Sequence, residues 1–557
     1  MKLLHYLLPK IQASFIPLGF LSYRNISTAT VEQNVNDNTG YNISGLNNTA
    51  YKAGQSVADM ANGKDGTIAK VSITYGQSKT ERQTHAKSSE AIASKVNAGG
   101  NVAIVATGAG EQSNINIIGS DVYGGTGTTL IADNQINLLA AQSTSEEHTR
   151  NKSSGWSAGA VISVGTQGLT GGITAGGNVG KGKGDGESVT QRNTNVGSGG
   201  TTRLTSGGTT TLAGAQVTGN RVEVDAKELN IISLQDTSNY KSKQQDASAQ
   251  ITIGNGVSGS ASYSQSKINA NYASVGEQSG IIAGDGGYSV NVQNNTNLVG
   301  GIITSSQAAE EAGRNRFSTG TLTASNVENH SDYKGSGFGL TGGVSVGADG
   351  SAQPDKNGNP TGVLGSNRTL GVTKSIGYGS DSDHDSGTTR SGINTSNITI
   401  TDAAGQAATG KTVDQILADI KTDTVTNTVA LNSGSIENNF DKEAVQKELD
   451  LQVKVTQEFD SNQQAARAEV NAAIDKANER KKDAQEKLKD PNLTDEQKAT
   501  LIATALEAQS DVERLQKIGV LVSAVAGGLS APTKSIGGIA AATLAPAVSY
   551  QIGQYFK

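Results

Sequence analysis

Gly177-Asn-Val-Gly-Lys-Gly-Lys-Gly184 matches the spacing of a phosphate-binding loop as far as Gly182-Lys183. Such a loop cradles phosphate with backbone N–H groups, reaches it with the lysine, and holds magnesium on a Ser or Thr hydroxyl. Gly184 stands where that hydroxyl belongs, and no strand-to-helix pattern surrounds the segment, so it reads as a flexible loop. Asp381, Asp383, His384 and Asp385 could offer ligands to a divalent cation, but such a run is first of all a solvated acidic loop. His5, His85, His148, His330 and His384 are scattered, and His148 and His330 sit in polar segments expected at the surface. Trp156, the single tryptophan, reads as the cap of a coil rather than a ligand platform. No paired acid and base and no nucleophile triad is visible, and nothing calls for a cofactor or a metal. Cysteine is absent, which removes disulfide and thiolate chemistry and is compatible with export. A net charge of −6 leaves no basic footprint for nucleic acid.

With so little chemistry to position, the organisation of the chain is the stronger signal. A unit of about 93–95 residues is written three times between about Lys70 and Gly347. Gly119 to Gln142 matches Gly214 to Gln235, and a third copy runs through Gly320 to Asn329. Each copy is followed by a polar tail, at Ser143, Asp236 and His330. Fixed periods of this size mean an array. Inside the unit, Ile117 recurs as Leu138 and Leu212 as Ile231, a step of about 19–21 residues. Ile115-Asn-Ile117, Leu130-Ile-Ala132 and Ile136-Asn-Leu138 alternate with period 2, so each is a short strand with one apolar face. Gly, Asn and Asp lie between them, at corners. The fold predicted for 40–347 is mainly β: a right-handed parallel β-helix, or solenoid, whose coils bury their inner faces only by stacking. Gly is 70 of 557 residues and aromatics are 4%, which suits a narrow ladder-packed interior better than an aromatic core. The competing reading of that composition is disorder, which the alternation and the in-phase repeats oppose.

The ends differ from the middle. Residues 1–39 are apolar, but Pro9, Lys10 and Pro17 interrupt the run, and it reads as an accidental start rather than a working signal peptide. Residues 348–440 form a Gly/Asp/Asn-rich linker with one strand-like piece at Ser391 to Ile400. From Asp441 the chain turns helical. Val445, Leu449, Val453, Ala466, Val470, Ala473 and Ala477 form one stripe, Asp490-Pro491 ends that helix, and Thr494 to Gln497 resembles a capping box opening the next. An α-helical hairpin over 441–517 follows. Residues 518–557 are apolar and Gly/Ala-rich, and Ser535 to Phe556 holds no formal charge. Two readings stay open there: a packed helical hairpin, or a membrane-interacting segment carried by Ile518, Val520, Leu521, Val522, Ile536, Ile539, Leu544, Tyr550, Ile552 and Phe556.

The three repeat units, the segment Ser391 to Asp402 and the close at Ala545 to Phe556 resemble the haemagglutinin-repeat region of filamentous-haemagglutinin-type exoproteins. More narrowly, they resemble contact-dependent growth inhibition effectors of Gram-negative bacteria. The resemblance implies a secreted or cell-surface filament, exported by an outer-membrane two-partner secretion transporter. It also implies contact with a receptor or outer membrane on a neighbouring cell, and delivery of a C-terminal toxin. The secretion and toxin domains of the complete pattern are not among these residues, so the chain reads as a piece of a longer gene or a decayed one. The function expected is a non-enzymatic structural and translocation segment. An adhesin segment and a carbohydrate-active β-helix enzyme are the alternatives.

Overall fold

The computed structural model describes residues 24–44, 67–165, 168–254, 256–348, 368–490 and 493–529. The chain is mainly β and solenoid-like. Short strands between Lys95 and Ile400 stack in register as parallel neighbours and build three apolar ladders. One ladder runs Val96, Val122, Val196, Val217, Ile281, Ile303 and Ile393. A second runs Ile104, Leu130, Leu204, Val224, Val290, Phe317 and Ile398. The third contains Ile117, Leu138, Leu212, Ile231, Leu298 and Ala324. The 19–21-residue step of the sequence is therefore the distance from one residue to its stacked neighbour: Ile117 pairs with Leu138 and Leu212 with Ile231. Most ladder residues are fully buried, and together they form the main core. Gly119 (φ +55°) and Gly214 (φ +65°) sit at the same corner of successive repeats, in the left-handed region that a side chain disfavours.

The 93–95-residue period has a second component that the periodicity of short strands does not announce. After every second coil the chain leaves the stack as a long hairpin. The hairpin strands are β1 (Arg24–Ser44) and β2 (Thr67–Ile92), β3 (Ala141–Gly165) and β4 (Gly168–Arg192), β5 (Gln235–Ile253) and β6 (Gly256–Val275), and β7 (Val327–Ala348) and β8 (Arg368–Thr389). They form one eight-stranded antiparallel sheet in chain order. Paired strands lie ~4.8 Å apart, in a hairpin as in a stack, so a hairpin is about as wide as two coils are tall. That equality is why one repeat holds two coils and one hairpin.

Several expected loops are thus strands. The polar tails at Ser143, Asp236 and His330 lie in β3, β5 and β7. Gly177 to Gly184 lies inside β4, and Asp381 to Asp385 inside β8. Trp156 is midway along β3, not at the end of a coil. Within 348–440, the expected linker, β8 completes the sheet and Gly392–Ile393 and Ile398–Ile400 begin a final coil. These strands alternate Gly or Ser with Ala, Thr or Lys, so their two faces differ little in hydropathy. The alternation that marks a strand is muted, and the composition reads as loop.

Helices close both layers. Helices α1 (Ala403–Ala408) and α2 (Val413–Ile420) cover the last coil. Gln406 is fully buried; its Oε1 accepts the Leu322 N–H at 2.7 Å and its Nε2 donates to the Leu322 carbonyl at 3.1 Å. One side chain so replaces the hydrogen bonds of a further strand, while Ile416 and Ile420 join the core. Helix α3 (Lys442–Lys487) is capped by Asp441, which accepts from the N–H groups of Glu443 and Ala444. Its first half crosses β7 and β8 on a track of glycines. A Cβ at Gly335 would stand 2.9 Å from Val445, and one at Gly337 2.9 Å from Val453. Helix α4 (Asp495–Leu529) opens with the capping box between Thr494 and Gln497 and packs along α3.

Candidate functional site

Directly paired residues of an antiparallel sheet share a face, so the register sorts the hairpin sheet into rows. Gln77, Trp156, Gly177, Ala249, Ala261, Gly342 and Lys374 form one row. The next row toward the solenoid is Lys79, Ser154, Val179, Ala247, Tyr263, Leu340 and Ile376. Toward the tips come Tyr75, Ala158, Ala175, Ile251, Gly259 and Val344, then Ala160, Ile173, Ile253 and Val257. Across its central strands, between Lys79 and Lys374 at the flanks, this face is apolar and open: Ile173 is 64% exposed, Val179 60%, Val344 54% and Trp156 50%. Trp156 and Tyr75 meet edge to face at 6.1 Å, and Phe338 and Tyr378 lie 5.5 Å apart lower on the same face. Between Trp156 and Val179 the small residues Gly177, Ala247 and Ala249 floor a shallow groove of about 520 Å³. Adjoining exposed apolar residues of this kind, rimmed by polar ones, are a candidate interaction surface.

The opposite face carries small polar residues and helix α3. Asn151 donates to Gln244 at 3.1 Å across the backbone of Gly182. A Cβ on Gly182 would stand 1.9 Å from the Gln244 amide oxygen, so that glycine makes room for a cross-strand hydrogen bond. This is the structural reason for the glycines that mimic a phosphate loop. At the N-terminus of α3, Lys442 bonds Glu147 of β3 at 2.9 Å, and that bond holds the Glu147 carboxyl below its ordinary range. Phe440 packs between Tyr240 and Tyr333.

The acidic run of β8 is split by strand alternation. Asp381 and Asp383 share the α3 face with Tyr333, whereas His384, between Asp383 and Asp385, points to the other face and pairs with Asp332. No group that could hold a metal ion occurs among the described residues. Burial and the neighbouring carboxylates push the Tyr333 hydroxyl up to about 12, and burial raises Asp381. His148 bonds Asp185, and His330 bonds Asn271. Of the segment left open between a packed helical hairpin and a membrane contact, Ile518 is half-buried on α4, and Val520, Leu521 and Val522 lie in the same helix. Ile536, Ile539, Leu544, Tyr550, Ile552 and Phe556 lie outside the described residues. No described helix is long and apolar enough to cross a membrane.

Asp236 and Glu277 sit where β5 and β6 join the solenoid, and burial raises both carboxyls. Asp236 accepts the Gln191 N–H at 2.6 Å, which only partly offsets that burial. A carboxyl raised in the folded state contributes stability at acidic pH that is lost as pH rises through the folded value. Asp236→Asn keeps an acceptor and removes the buried charge. The variant is expected to melt higher than the parent at pH 7, with the difference shrinking to zero below the ordinary carboxylate range. Parallel melting curves across pH check this; a constant or reversed difference refutes it.

The apolar face was present in the sequence as Trp156-x-Ala-x-Ala160, Ile173-x-Ala175 and Ile251-x-Ile253, each alternating with period 2. Small partners dilute that signal, and the C-terminal apolar stretch carries a stronger one.

Residues 71–247 match the model of the hemagglutinin repeat. The tRNA nuclease CdiA of Yersinia mollaretii is 32% identical over 523 residues, which is 91% of this chain and 16% of that protein. The chain is homologous to CdiA proteins over most of its length. The 16S rRNA endonuclease CdiA of Enterobacter cloacae is 32% identical over 91% of the chain and 15% of its own length. The deoxyribonuclease CdiA of Yersinia pseudotuberculosis is 32% identical over 78% of the chain and 38% of its own length. The chain thus spans a minor part of each CdiA protein it matches. No solved structure matches it.

Proposed function

We propose that this chain is a non-enzymatic structural and delivery segment of a CdiA-type exoprotein, and that its hairpin sheet engages a membrane with the apolar face. The observation that carries the delivery reading is the shared region itself. CdiA relatives named for cutting tRNA, 16S rRNA and DNA align with the same chain at 32% identity. A region common to proteins with three different nucleic-acid targets does not choose the target. The stack then serves as a spacer, with the right-handed turn usual for parallel crossovers. In the longer protein it is exported by an outer-membrane two-partner secretion transporter and displayed at the cell surface, facing a neighbouring cell.

The membrane reading rests on the sheet. From Trp156 to Val164, β3 continues for nine residues in alternating register, and a strand needs ≈ 9–11 residues to cross a bilayer. Polar small residues on one face and apolar residues on the other is the pattern of strands that meet lipid on one side. Since Trp156 is the only tryptophan, it reports on this face alone. Mixing the chain with phospholipid vesicles is expected to shift Trp156 emission to the blue and to carry the protein with the vesicles on flotation. Unshifted emission with full recovery in the soluble fraction overturns the membrane reading. Turnover of tRNA, rRNA, DNA or polysaccharide by this chain overturns the non-enzymatic one.

A further inference from the structure

Immediately below the apolar rows, on the same face, the sheet turns cationic. Lys152 and Lys181 pair directly across β3 and β4. One row nearer the solenoid, Lys183, Lys243 and Lys267 stand in line across β4, β5 and β6, each paired with the next. Four of the five are exposed and Lys243 is half-buried. None forms an ion pair among the described residues, whereas the adjacent Arg150 is already committed to Asp185 at 2.8 Å. Like charges directly opposite each other in a sheet are destabilising. Three consecutive ones, in a chain of net charge −6, are not explained by packing.

We infer that this lysine belt binds the anionic phosphate of lipid headgroups and sets the depth at which the sheet meets the membrane. The inference rests on the membrane reading above and deepens it. Two features favour a lipid source. Over the central strands the belt borders the apolar rows on one side only, so a ligand touching the lysines there meets apolar side chains toward the tips and water toward the solenoid. Its width across three strands suits a surface of repeated phosphates rather than one bound ion. Ammonium groups bind phosphate as compact point charges, and adjoining strands bring them ~5 Å apart.

The test uses the full chain, vesicles of phosphatidylcholine alone, and vesicles carrying phosphatidic acid, with Trp156 emission as readout. Each lysine near an anionic surface strengthens binding several-fold, so three contribute on the order of a hundredfold. The parent is expected to bind phosphatidic acid vesicles that much more tightly than phosphatidylcholine, with the preference falling as salt rises. K183Q/K243Q/K267Q, which leaves Lys152 and Lys181 in place, is expected to lose that hundredfold part of the preference yet keep the blue shift on phosphatidylcholine. Its melting temperature should be no lower than the parent's, because the opposed charges are gone. K183R/K243R/K267R, which keeps the charges, should keep the preference. Equal binding of both vesicles by the parent, an unchanged preference in the glutamine variant, or a lost preference in the arginine variant overturns the belt. Tight binding of tripolyphosphate in solution without any vesicle preference overturns lipid as the source. Absence of a Trp156 shift with either vesicle overturns the membrane reading first, which separates the two failures.

Discussion

Gly377→Val is expected to lift helix α3 off the hairpin sheet. A Cβ at this position would stand 2.2 Å from the carbonyl oxygen of Val453 and 2.5 Å from the Gln457 side chain. The first contact is with helix backbone, which cannot rotate out of the way. The same stretch of helix also closes the edge of the sheet. Strand β8 is the last strand, and its outward N–H groups at Ile376, Tyr378 and Ser380 donate to Asp460, Thr456 and Gln452 at 2.9, 2.8 and 2.8 Å. Acceptors four residues apart on the helix meet donors two residues apart on the strand, because one helical turn (~5.4 Å) approaches the length of two strand residues (~6.8 Å). Overpacking alone costs about 1–3 kcal/mol, and losing three edge bonds adds to it at about 1 kcal/mol each. Hydrogen exchange at the three amides is the direct measurement. They should be protected in the parent and exchange at least a hundredfold faster in the variant, with new protease cuts in α3. Unchanged protection would show that the helix is not held this way.

The second large effect belongs to the ladder core. Leu204 is fully buried between Leu130 of the coil below and Val224 of the coil above. Leu204→Ala is expected to cost about 2–5 kcal/mol, through lost transfer free energy and the cavity left behind. In a quasi-one-dimensional stack, each coil touches only its neighbours, so a weak coil divides the cooperative unit. Thermal unfolding followed by circular dichroism should therefore broaden or split into two transitions, not merely shift. A loss under about 0.5 kcal/mol, within the range of surface substitutions, would mean that the ladder is not the core.

These two sites mark how far the sequence could be read. The ladders were legible because Ile, Leu and Val recur at one step and alternate with Asn and Thr; Ile117 and Leu138 are matched in the sequence and adjacent in space. The stripe of α3 was legible for the same reason, at period 3.6: Val445, Leu449 and Val470 are buried. The hairpin sheet was not. Its strands alternate Gly or Ser with Ala, Thr or Lys, as in Gly180-Lys-Gly-Lys-Gly184, and the information that makes them strands lies in the neighbours they pair with, as far apart in the chain as Thr67 and Gly165. The apolar face had a weak local trace at Trp156 and Ile173. The lysine line had none, because Lys183, Lys243 and Lys267 become neighbours only through the register of three strands.

The equal spacing of coils and hairpin strands bears on how such a molecule changes length. Two gauges of the same pitch run side by side and are joined at every repeat. Loss of a single coil of about 20 residues would leave the hairpins half a hairpin width, ~4.8 Å, out of step with the stack that carries them. Gain or loss of a whole repeat leaves every joint in place. An array of this design therefore lengthens or shortens without strain only in modules of one whole repeat, roughly 94 residues.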